Sequence, residues 1–270
     1  MKTKKLFIIL LLLLATLLTG CKNDNNGTDD DSDNDSKVIV EKYTKTLLTG
    51  TIYETTVYYF KTNVEGPKIL IVGGIHGDEL AGWHAATRML EYDFTFGEVI
   101  IIPRANILAT QLEQRYPGQK NNGKYNGVQY SDLNRAFPGE ANGTPTEQIA
   151  YVLATFIDQE DPDIVLDLHE SLNNYLNPPY IGNQVIAGNP KSAFYAMSLV
   201  AEFNQKYQTP NNVPFIKDEK PKDGSINQYC SQDQNRIVFT FETDRSLKLE
   251  ERIRQQLTLI DIFLNQIKPS

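Results

Sequence analysis

The apolar residues after position 38 fall into short runs that alternate with longer segments of helical periodicity. Short apolar runs bounded by proline or glycine are typical of buried strands, whereas apolar residues three and four apart are typical of amphipathic helices. A turn signal at Thr49-Gly50 separates two segments rich in β-branched and aromatic residues, which predicts a hairpin. The predicted strands are Ile39–Leu47 and Thr51–Lys61 in the hairpin, then Ile69–Val72, Val99–Ile102, Asp163–Leu168 and Arg236–Phe241.

Helical segments lie between these strands. Thr144-Pro145-Thr146-Glu147 forms a capping box with proline at the first helical position, so a helix is predicted to begin there. A long segment rich in Asn, Gly and Tyr, Gln111–Gly143, is predicted to be a functional loop. The alternation predicts a three-layer α/β/α sandwich with a mixed, mostly parallel central sheet. The other predicted helices are Asp78–Tyr92, Ser192–Tyr207 and Leu247–Ile267.

The N-terminal residues are typical of a targeting signal, not of a folded domain. A basic start precedes the apolar run Leu6–Leu18, which is shorter than the ~20 residues of a spanning helix. The run ends in Leu18-Thr19-Gly20-Cys21, which resembles the bacterial lipobox, so Cys21 is the expected lipidation site. An ordinary secretory signal with an incidental cysteine is the alternative. The predicted order is a signal peptide at 1–20, a flexible acidic tether at 21–37 and a single domain at 38–270.

A lipid anchor places the domain in the bacterial cell envelope, outside the cytoplasm, either periplasmic or on the surface. The acidic cluster in the tether is interpreted as a solvated spacer, with a lipoprotein sorting signal as the alternative. The chain has 26 basic and 34 acidic side chains, a net charge of −8, and loss of the three lysines of the signal makes it more negative. This balance argues against nucleic acid as a partner. Cys230, the second of two cysteines, is interpreted as a buried apolar residue, with a nucleophile as the alternative.

Two of the three histidines lie at the predicted carboxyl ends of strands, where open α/β sheets bind their ligands. His76 and Glu79 follow the strand Ile69–Val72, and His169 follows Asp163–Leu168. A catalytic zinc site needs three protein ligands of this type and one open position. Hydrogen-bonded structural histidines are the alternative for each residue alone, and His84, in the middle of a helix, is interpreted as structural or surface-exposed.

Four motifs in this order resemble the M14 zinc carboxypeptidase superfamily, which includes murein peptide amidases, succinylglutamate desuccinylase and aspartoacylase. They are His76-x-x-Glu79, Asp132-Leu133-Asn134-Arg135, His169, and Phe239-Thr240-Phe241-Glu242, and the resemblance covers about residues 68–244. It implies one Zn²⁺ ion held by His76, Glu79 and His169.

The resemblance also implies roles for the surrounding residues. Glu242 is the expected general base that activates a water molecule, and an arginine is expected to stabilise the oxyanion. Arg115 is the first arginine after the stretch that replaces the family's Asn-Pro-Asp-Gly, and Arg104 competes for this role. Asp132 is expected to orient a histidine ligand. Asn134 and Arg135 are expected to bind a substrate carboxylate, and the pocket for the substrate side chain is expected near Ser225 and Ile226.

Three functions follow from this site. The first is a carboxypeptidase or peptide amidase that cleaves an amide bond beside a free carboxylate in short or cell-wall peptides. The second is an N-acyl amino acid deacylase of the desuccinylase and aspartoacylase type. Such deacylases usually carry a further C-terminal β-domain, whereas this sequence ends one helix after Glu242, which favours the first function. The third is a binding lipoprotein without catalysis, against which the complete ligand set and Glu242 argue.

Overall fold

One eight-stranded sheet forms the centre of the protein in a computed structural model that describes residues 37–171, 182–207, 214–218 and 220–269. A separate two-stranded hairpin lies in the long segment that precedes the capping box. The strands are β1 Val40–Leu47, β2 Thr55–Thr62, β3 Lys68–Gly73, β4 Glu98–Ile102, β5 Lys124–Tyr125, β6 Val128–Gln129, β7 Ile164–Ser171, β8 Gln184–Ala187, β9 Ile216–Asp218 and β10 Ile237–Asp244.

The strand order in the large sheet is β1-β2-β4-β3-β7-β10-β8-β9. Strands β4, β3, β7 and β10 run parallel to one another, and β8 and β9 form a second parallel pair. The hairpin β1–β2 and the pairs β2–β4 and β10–β8 are antiparallel. The sheet is therefore mixed and mostly parallel at its centre, as predicted.

Helices cover both faces of the sheet. In β3, Ile69 and Ile71 pack in one apolar cluster with the helices at residues 80–88, 190–206 and 249–267. The alternate residues Leu70 and Val72 pack in another with the helices at residues 145–160 and 226–230. This alternation follows from the two-residue period of a strand and produces the predicted three-layer sandwich. The helices are α1 Leu80–Arg88, α2 Ile107–Leu112, α3 Pro145–Glu160, α4 Pro190–Lys206, α5 Ile226–Cys230 and α6 Leu249–Ile267.

Several predicted boundaries were wrong in ways that affect the site. Strand β7 continues to Ser171 and β10 to Asp244, so His169 and Glu242 lie inside strands and not after them. Helix α1 ends at Arg88 and continues as a 3-10 turn over residues 89–91. The predicted loop Gln111–Gly143 contains β5, β6 and 3-10 turns at residues 119–121 and 133–135. Strands β8 and β9 and helices α2 and α5 were not predicted.

The predicted signal peptide, most of the tether and Cys21 lie outside the described residues. Residues Val38–Ser270 group into one compact unit. Among the described residues, no helix has the length and apolar character needed to cross a bilayer.

Candidate metal centre and active site

The three predicted metal ligands come together at the carboxyl ends of β3 and β7, which are adjacent and parallel. His76 lies in the loop after β3, Glu79 is the residue immediately before α1, and His169 lies on β7. Gly77 lets this loop pass very close to α2, because a Cβ atom there would lie 1.9 Å from the Ala109 carbonyl oxygen. The side chains of all three ligands are buried, so the sequence positions them in a site with little access for water.

The two imidazoles point their Nδ1 atoms at the same carboxylate. His76 Nδ1 lies 2.8 Å from Glu79 Oε1, and His169 Nδ1 lies 2.6 Å from Glu79 Oε2. One ligand atom from each of the three residues falls within 4.8 Å of the others. Two imidazole nitrogens and a carboxylate oxygen converging in this way are the donor set of catalytic zinc sites.

The outer nitrogen of each imidazole faces a second carboxylate. His76 Nε2 lies 2.8 Å from Asp132 Oδ1, so Asp132 is where the sequence predicted a carboxylate that orients a histidine. His169 Nε2 lies 3.0 Å from Asp167 Oδ1, although among the described residues this pair lacks hydrogen-bond alignment. A carboxylate behind a ligating histidine fixes its tautomer and increases its basicity, so the surroundings fit a zinc ion as well as the ligands do.

The carboxylates control the charges in this cluster. Burial opposes the charged form of each histidine, but Glu79 and Asp132 outweigh it and raise the pKa of His76. Asp167 and Glu79 likewise raise the pKa of His169 well above its usual value. Burial opposes the charged form of Glu79 too, yet the two histidines hold the pKa of its carboxyl well below the usual range. The cluster therefore favours an anionic Glu79 carboxylate between two protonated imidazoles. A divalent cation bound there would take the place of the protons on the two rings.

Glu242 lies beside this cluster on the neighbouring strand. It pairs with His169 in the parallel register of β10 and β7, so the two side chains are expected on the same face of the sheet. Burial raises the pKa of Glu242 from 4.5 to about 7, and the charge of Glu79 adds to this while His169 opposes it. Its Oε2 atom is buried without a hydrogen-bond partner among the described residues. A carboxyl with a pKa near neutrality can both accept and return a proton, as a general base must.

Of the two arginines considered for the oxyanion, Arg115 is at the site. Its Nε donates to Asp132 Oδ2 at 3.0 Å, and its Nη1 donates to Glu79 Oε1 at 3.2 Å. Arg104 instead places its guanidinium 4.4 Å from the centre of the Trp83 ring. The geometry therefore favours Arg115 for a cation near the reacting atoms, and the role itself stays a prediction.

The predicted carboxylate-binding pair occupies the 3-10 turn that follows Asp132. Asn134 is buried, and its Oδ1 accepts the backbone N–H of Ile226 at 3.2 Å. Arg135 is exposed, and its Nη1 donates to the carbonyl of Asn134 at 2.5 Å. The turn thus places a solvent-accessible guanidinium three residues after Asp132, and its binding of a substrate carboxylate stays a prediction.

The residues predicted to line the side-chain pocket lie at the start of helix α5. Ser225 caps helix α5 by accepting the backbone N–H of Gln228 at 3.0 Å. The Ile226 side chain is fully buried in the apolar cluster beneath the sheet. Both side chains are therefore used in local packing, and only the Ile226 N–H reaches the site through Asn134. Their role as pocket walls stays a prediction.

Two polar residues at the site were missed by the sequence analysis. Asp167 lies on β7 two positions before His169, and the two-residue period puts both side chains on one face. Arg245 follows β10, and its guanidinium lies 3.2 Å from Glu79 Oε1. Asp167 could have been found in the sequence from its position two residues before His169. Arg245 could have been found as the basic residue three positions after Glu242.

The remaining candidates lie apart from the metal ligands. His84 stacks on Trp83 with ring centres 3.8 Å apart, and burial and Arg104 lower the pKa of its imidazole. Cys230 is fully buried in the core, and burial raises the pKa of its thiol to about 12. A thiol that stays protonated is a poor nucleophile, which agrees with the interpretation of Cys230 as an apolar residue.

Comparison with known proteins extends these observations. The family described as the Succinylglutamate desuccinylase/Aspartoacylase catalytic domain matches residues 65–260, a range that includes every predicted ligand. The N-alpha-acetyl-L-2,4-diaminobutyric acid deacetylase of Halomonas elongata is 33% identical over 126 residues, which cover 45% of this chain and 34% of that protein. The chain therefore spans about a third of the curated relative that it matches.

Solved structures share the fold at lower identity. The Cell Shape Determinant protein Csd4 of Helicobacter pylori superposes with a TM-score of 0.64 and 22% identity, over 75% of this chain and 50% of that one. A succinylglutamate desuccinylase/aspartoacylase from Rhodobacter sphaeroides gives 0.60 and 21%, over 89% and 68%. These matches confirm the fold, and the family match, which covers more than half of the sequence, agrees with the resemblance carried by the four motifs. The chain belongs to the succinylglutamate desuccinylase/aspartoacylase catalytic domain family.

Proposed function

We propose that this protein is a zinc-dependent hydrolase that cleaves an amide bond next to a free carboxylate. The observation that carries the proposal is the convergence of His76, Glu79 and His169, with one ligand atom from each within 4.8 Å, while Glu242 lies at the paired position on the next strand. A binding protein would have no use for a partly buried carboxylate with a raised pKa at this position.

Each residue of the site has a part in this reaction. Zn²⁺ held by the three ligands would supply a Lewis acid and lower the pKa of water toward about 7. Glu242 takes a proton from the attacking water and returns it to the leaving amine. Arg115 donates to the oxygen on which negative charge develops. Asp132 and Asp167 lie behind the two imidazoles, whose Nδ1 atoms would face the metal.

For the substrate, we propose a short or cell-wall peptide with a free carboxylate. Arg135 is exposed and lies three residues after Asp132, which contacts His76, and a guanidinium pairs with a carboxylate through two parallel hydrogen bonds. The structurally similar Csd4 is described as a D,L-carboxypeptidase and has been studied with mDAP and with a tripeptide bound. The similarity to Csd4 supports a peptide carrying a terminal acid as the first substrate class to test.

An N-acyl amino acid is the second candidate substrate. It is favoured by the family match and by the 33% identity to a deacetylase of an N-acetylated diamino acid. The structurally similar ectoine utilization protein of Ruegeria pomeroyi was also solved with product bound. Both substrate classes offer an amide beside a carboxylate, so the same residues serve both.

A substrate panel separates the two candidates. Zinc-loaded protein is incubated with short peptides, muropeptides and N-acyl amino acids, each as the free acid and as the amidated form, and a His76→Ala variant serves as the control. Cleavage of peptide acids supports the first class, and cleavage of N-acyl amino acids supports the second. Cleavage that is indifferent to amidation would refute recognition of a carboxylate. A folded protein that cleaves no member of the panel and binds no zinc would point to a binding protein.

We also propose that the domain is anchored to the bacterial cell envelope through lipidated Cys21, outside the cytoplasm. The basic start, the short apolar run and the Leu-Thr-Gly-Cys sequence support this. Membrane fractionation of cells that express the full chain tests it, with a Cys21→Ser variant as the control. Wild-type protein should sediment with membranes and gain the mass of acyl chains. Equal distribution of both proteins, with no added mass, would contradict the proposal.

A further inference from the structure

Arg245 contacts the carboxylates of two successive residues at the metal cluster, Asp78 and Glu79. Its Nη1 and Nη2 donate to the two oxygens of Asp78 at 3.1 and 3.2 Å, and Nη2 also lies 3.2 Å from Glu79 Oε1. The backbone N–H of Arg245 donates to the carbonyl of Ser171, at the end of β7, at 3.1 Å. The backbone and side chain of Arg245 together thus connect the ends of β7 and β10 to the loop that carries Glu79.

The adjacent helix α1 gives the Glu79 side chain no capping hydrogen bond. Glu79 precedes α1 with φ −97° and ψ 70°, outside the helical conformation. Its Oε2 is held by the backbone N–H of Glu170 at 3.0 Å and by His169. Its Oε1 faces His76 and two guanidiniums, those of Arg115 and Arg245. Arg245 therefore limits rotation of the carboxylate on the side where β7 gives no backbone donor.

Arg245 also lies three residues after Glu242 on the same chain segment. The contact of Arg245 with Glu79 therefore also sets the distance between β10, which carries Glu242, and the loop that carries Glu79. A guanidinium suits this task because it forms a rigid fork that can bridge several carboxylate oxygens at once. Its side chain is only 17% exposed, so solvent weakens these contacts little.

We propose that Arg245 is a positioning residue of the metal centre, which holds Asp78 and Glu79 so that the Glu79 carboxylate is correctly oriented for the metal. This inference rests on the proposed function, since it supposes that the cluster binds a metal ion. Loss of a side chain that supports a metal ligand typically lowers metal affinity about 10- to 100-fold, and that is the loss expected for Arg245→Ala. Arg245→Lys should recover part of the affinity, because lysine keeps the charge but not the fork.

The test measures metal binding directly and not only activity. The zinc dissociation constant of the full chain is determined by competition with a chromophoric chelator, and Co²⁺ replaces zinc to give a visible spectrum that reports ligand geometry. Arg88→Ala is the matched control, since Arg88 donates to both oxygens of Glu250 at 2.8 Å on the surface, away from the metal. Thermal unfolding of the chelator-treated proteins measures any general loss of stability.

Wild type and Arg88→Ala should bind zinc equally, whereas Arg245→Ala should bind it about 10- to 100-fold more weakly with an altered Co²⁺ spectrum. If Arg245→Ala does not fold, Arg245→Lys and Asp78→Asn are expected to show smaller losses of the same kind. A folded variant with wild-type zinc affinity and Co²⁺ spectrum would overturn the role of Arg245 alone. Wild-type protein that binds neither metal would overturn the proposed function and this inference together.

Discussion

The raised pKa of Glu242 predicts that its carboxylate destabilises the metal-free protein at neutral pH. Burial and the charge of Glu79 raise this pKa from 4.5 to about 7. The folded protein then holds a proton on Glu242 between these pH values that the unfolded chain has already released. Stability depends on pH through this difference in bound protons, so it falls as the pH rises from 4.5 to about 7.

The size of the effect follows from the shift. One pKa unit corresponds to about 1.36 kcal/mol, so a rise from 4.5 to about 7 amounts to roughly 3 kcal/mol. Glutamine has the shape of the protonated acid and cannot ionise. We therefore expect Glu242→Gln to match wild type in its free energy of unfolding near pH 4.5. Near pH 8, it should be more stable by roughly 3 kcal/mol.

Urea unfolding in the presence of a chelator measures this difference at several pH values. Trp83 is the single tryptophan and is 6% exposed, so its fluorescence reports unfolding. Glu160→Gln is a control of opposite sign, because Lys45 and Tyr59 outweigh burial and lower the pKa of Glu160. That variant should lose stability near pH 8. A difference between Glu242→Gln and wild type that stays constant with pH would refute the reasoning.

Three further predictions concern the metal and the substrate. Asp132→Asn should lower zinc affinity about 10- to 100-fold in chelator competition, since it removes the carboxylate behind His76; unchanged affinity would contradict that role. Zinc binding should weaken as the pH drops through the raised pKa values of His76 and His169, because protons must leave both rings before the metal binds. Calorimetry in buffers of different ionisation enthalpy measures the number of protons released. Arg135→Lys should raise KM about tenfold for free-acid substrates and leave KM for amidated substrates unchanged, because a hydrogen bond to a charged group contributes about 1.5–3 kcal/mol. An equal change in KM for both forms would exclude carboxylate binding by Arg135.

The fold could be predicted from the sequence because its central strands carry an unambiguous pattern. Runs such as Ile69–Val72 are apolar on both faces, which a strand needs when helices cover both sides of the sheet. The candidate metal ligands could be predicted because His76 and Glu79 follow such a strand and His169 lies near the end of its parallel neighbour. Parallel neighbours bring their carboxyl ends to one edge, so three residues distant in sequence meet in space.

Other features depend on tertiary contacts that a sequence pattern does not contain. Strand β8 has only four residues and forms because it pairs with β10. Helix α5 has only five residues and depends on its cap at Ser225. The same cap engages the Ser225 hydroxyl with the backbone N–H of Gln228. Arg245 acquires its partners only when β10 reaches the loop that carries Asp78 and Glu79. The ends of β7 and β10 were missed because polar residues at an active site interrupt the apolar pattern before the pairing ends.

We propose that this family member performs zinc-dependent hydrolysis with Glu242 as its general base. The most direct test of this proposal is the zinc content and the hydrolysis rate of wild type and Glu242→Ala, measured on the same preparations with the best substrate of the panel. We predict one zinc ion in each protein and a rate for the variant lower by about 10²- to 10⁴-fold, the usual contribution of general base catalysis. A folded wild-type protein without zinc, or a variant that hydrolyses the substrate at the wild-type rate, would contradict the account.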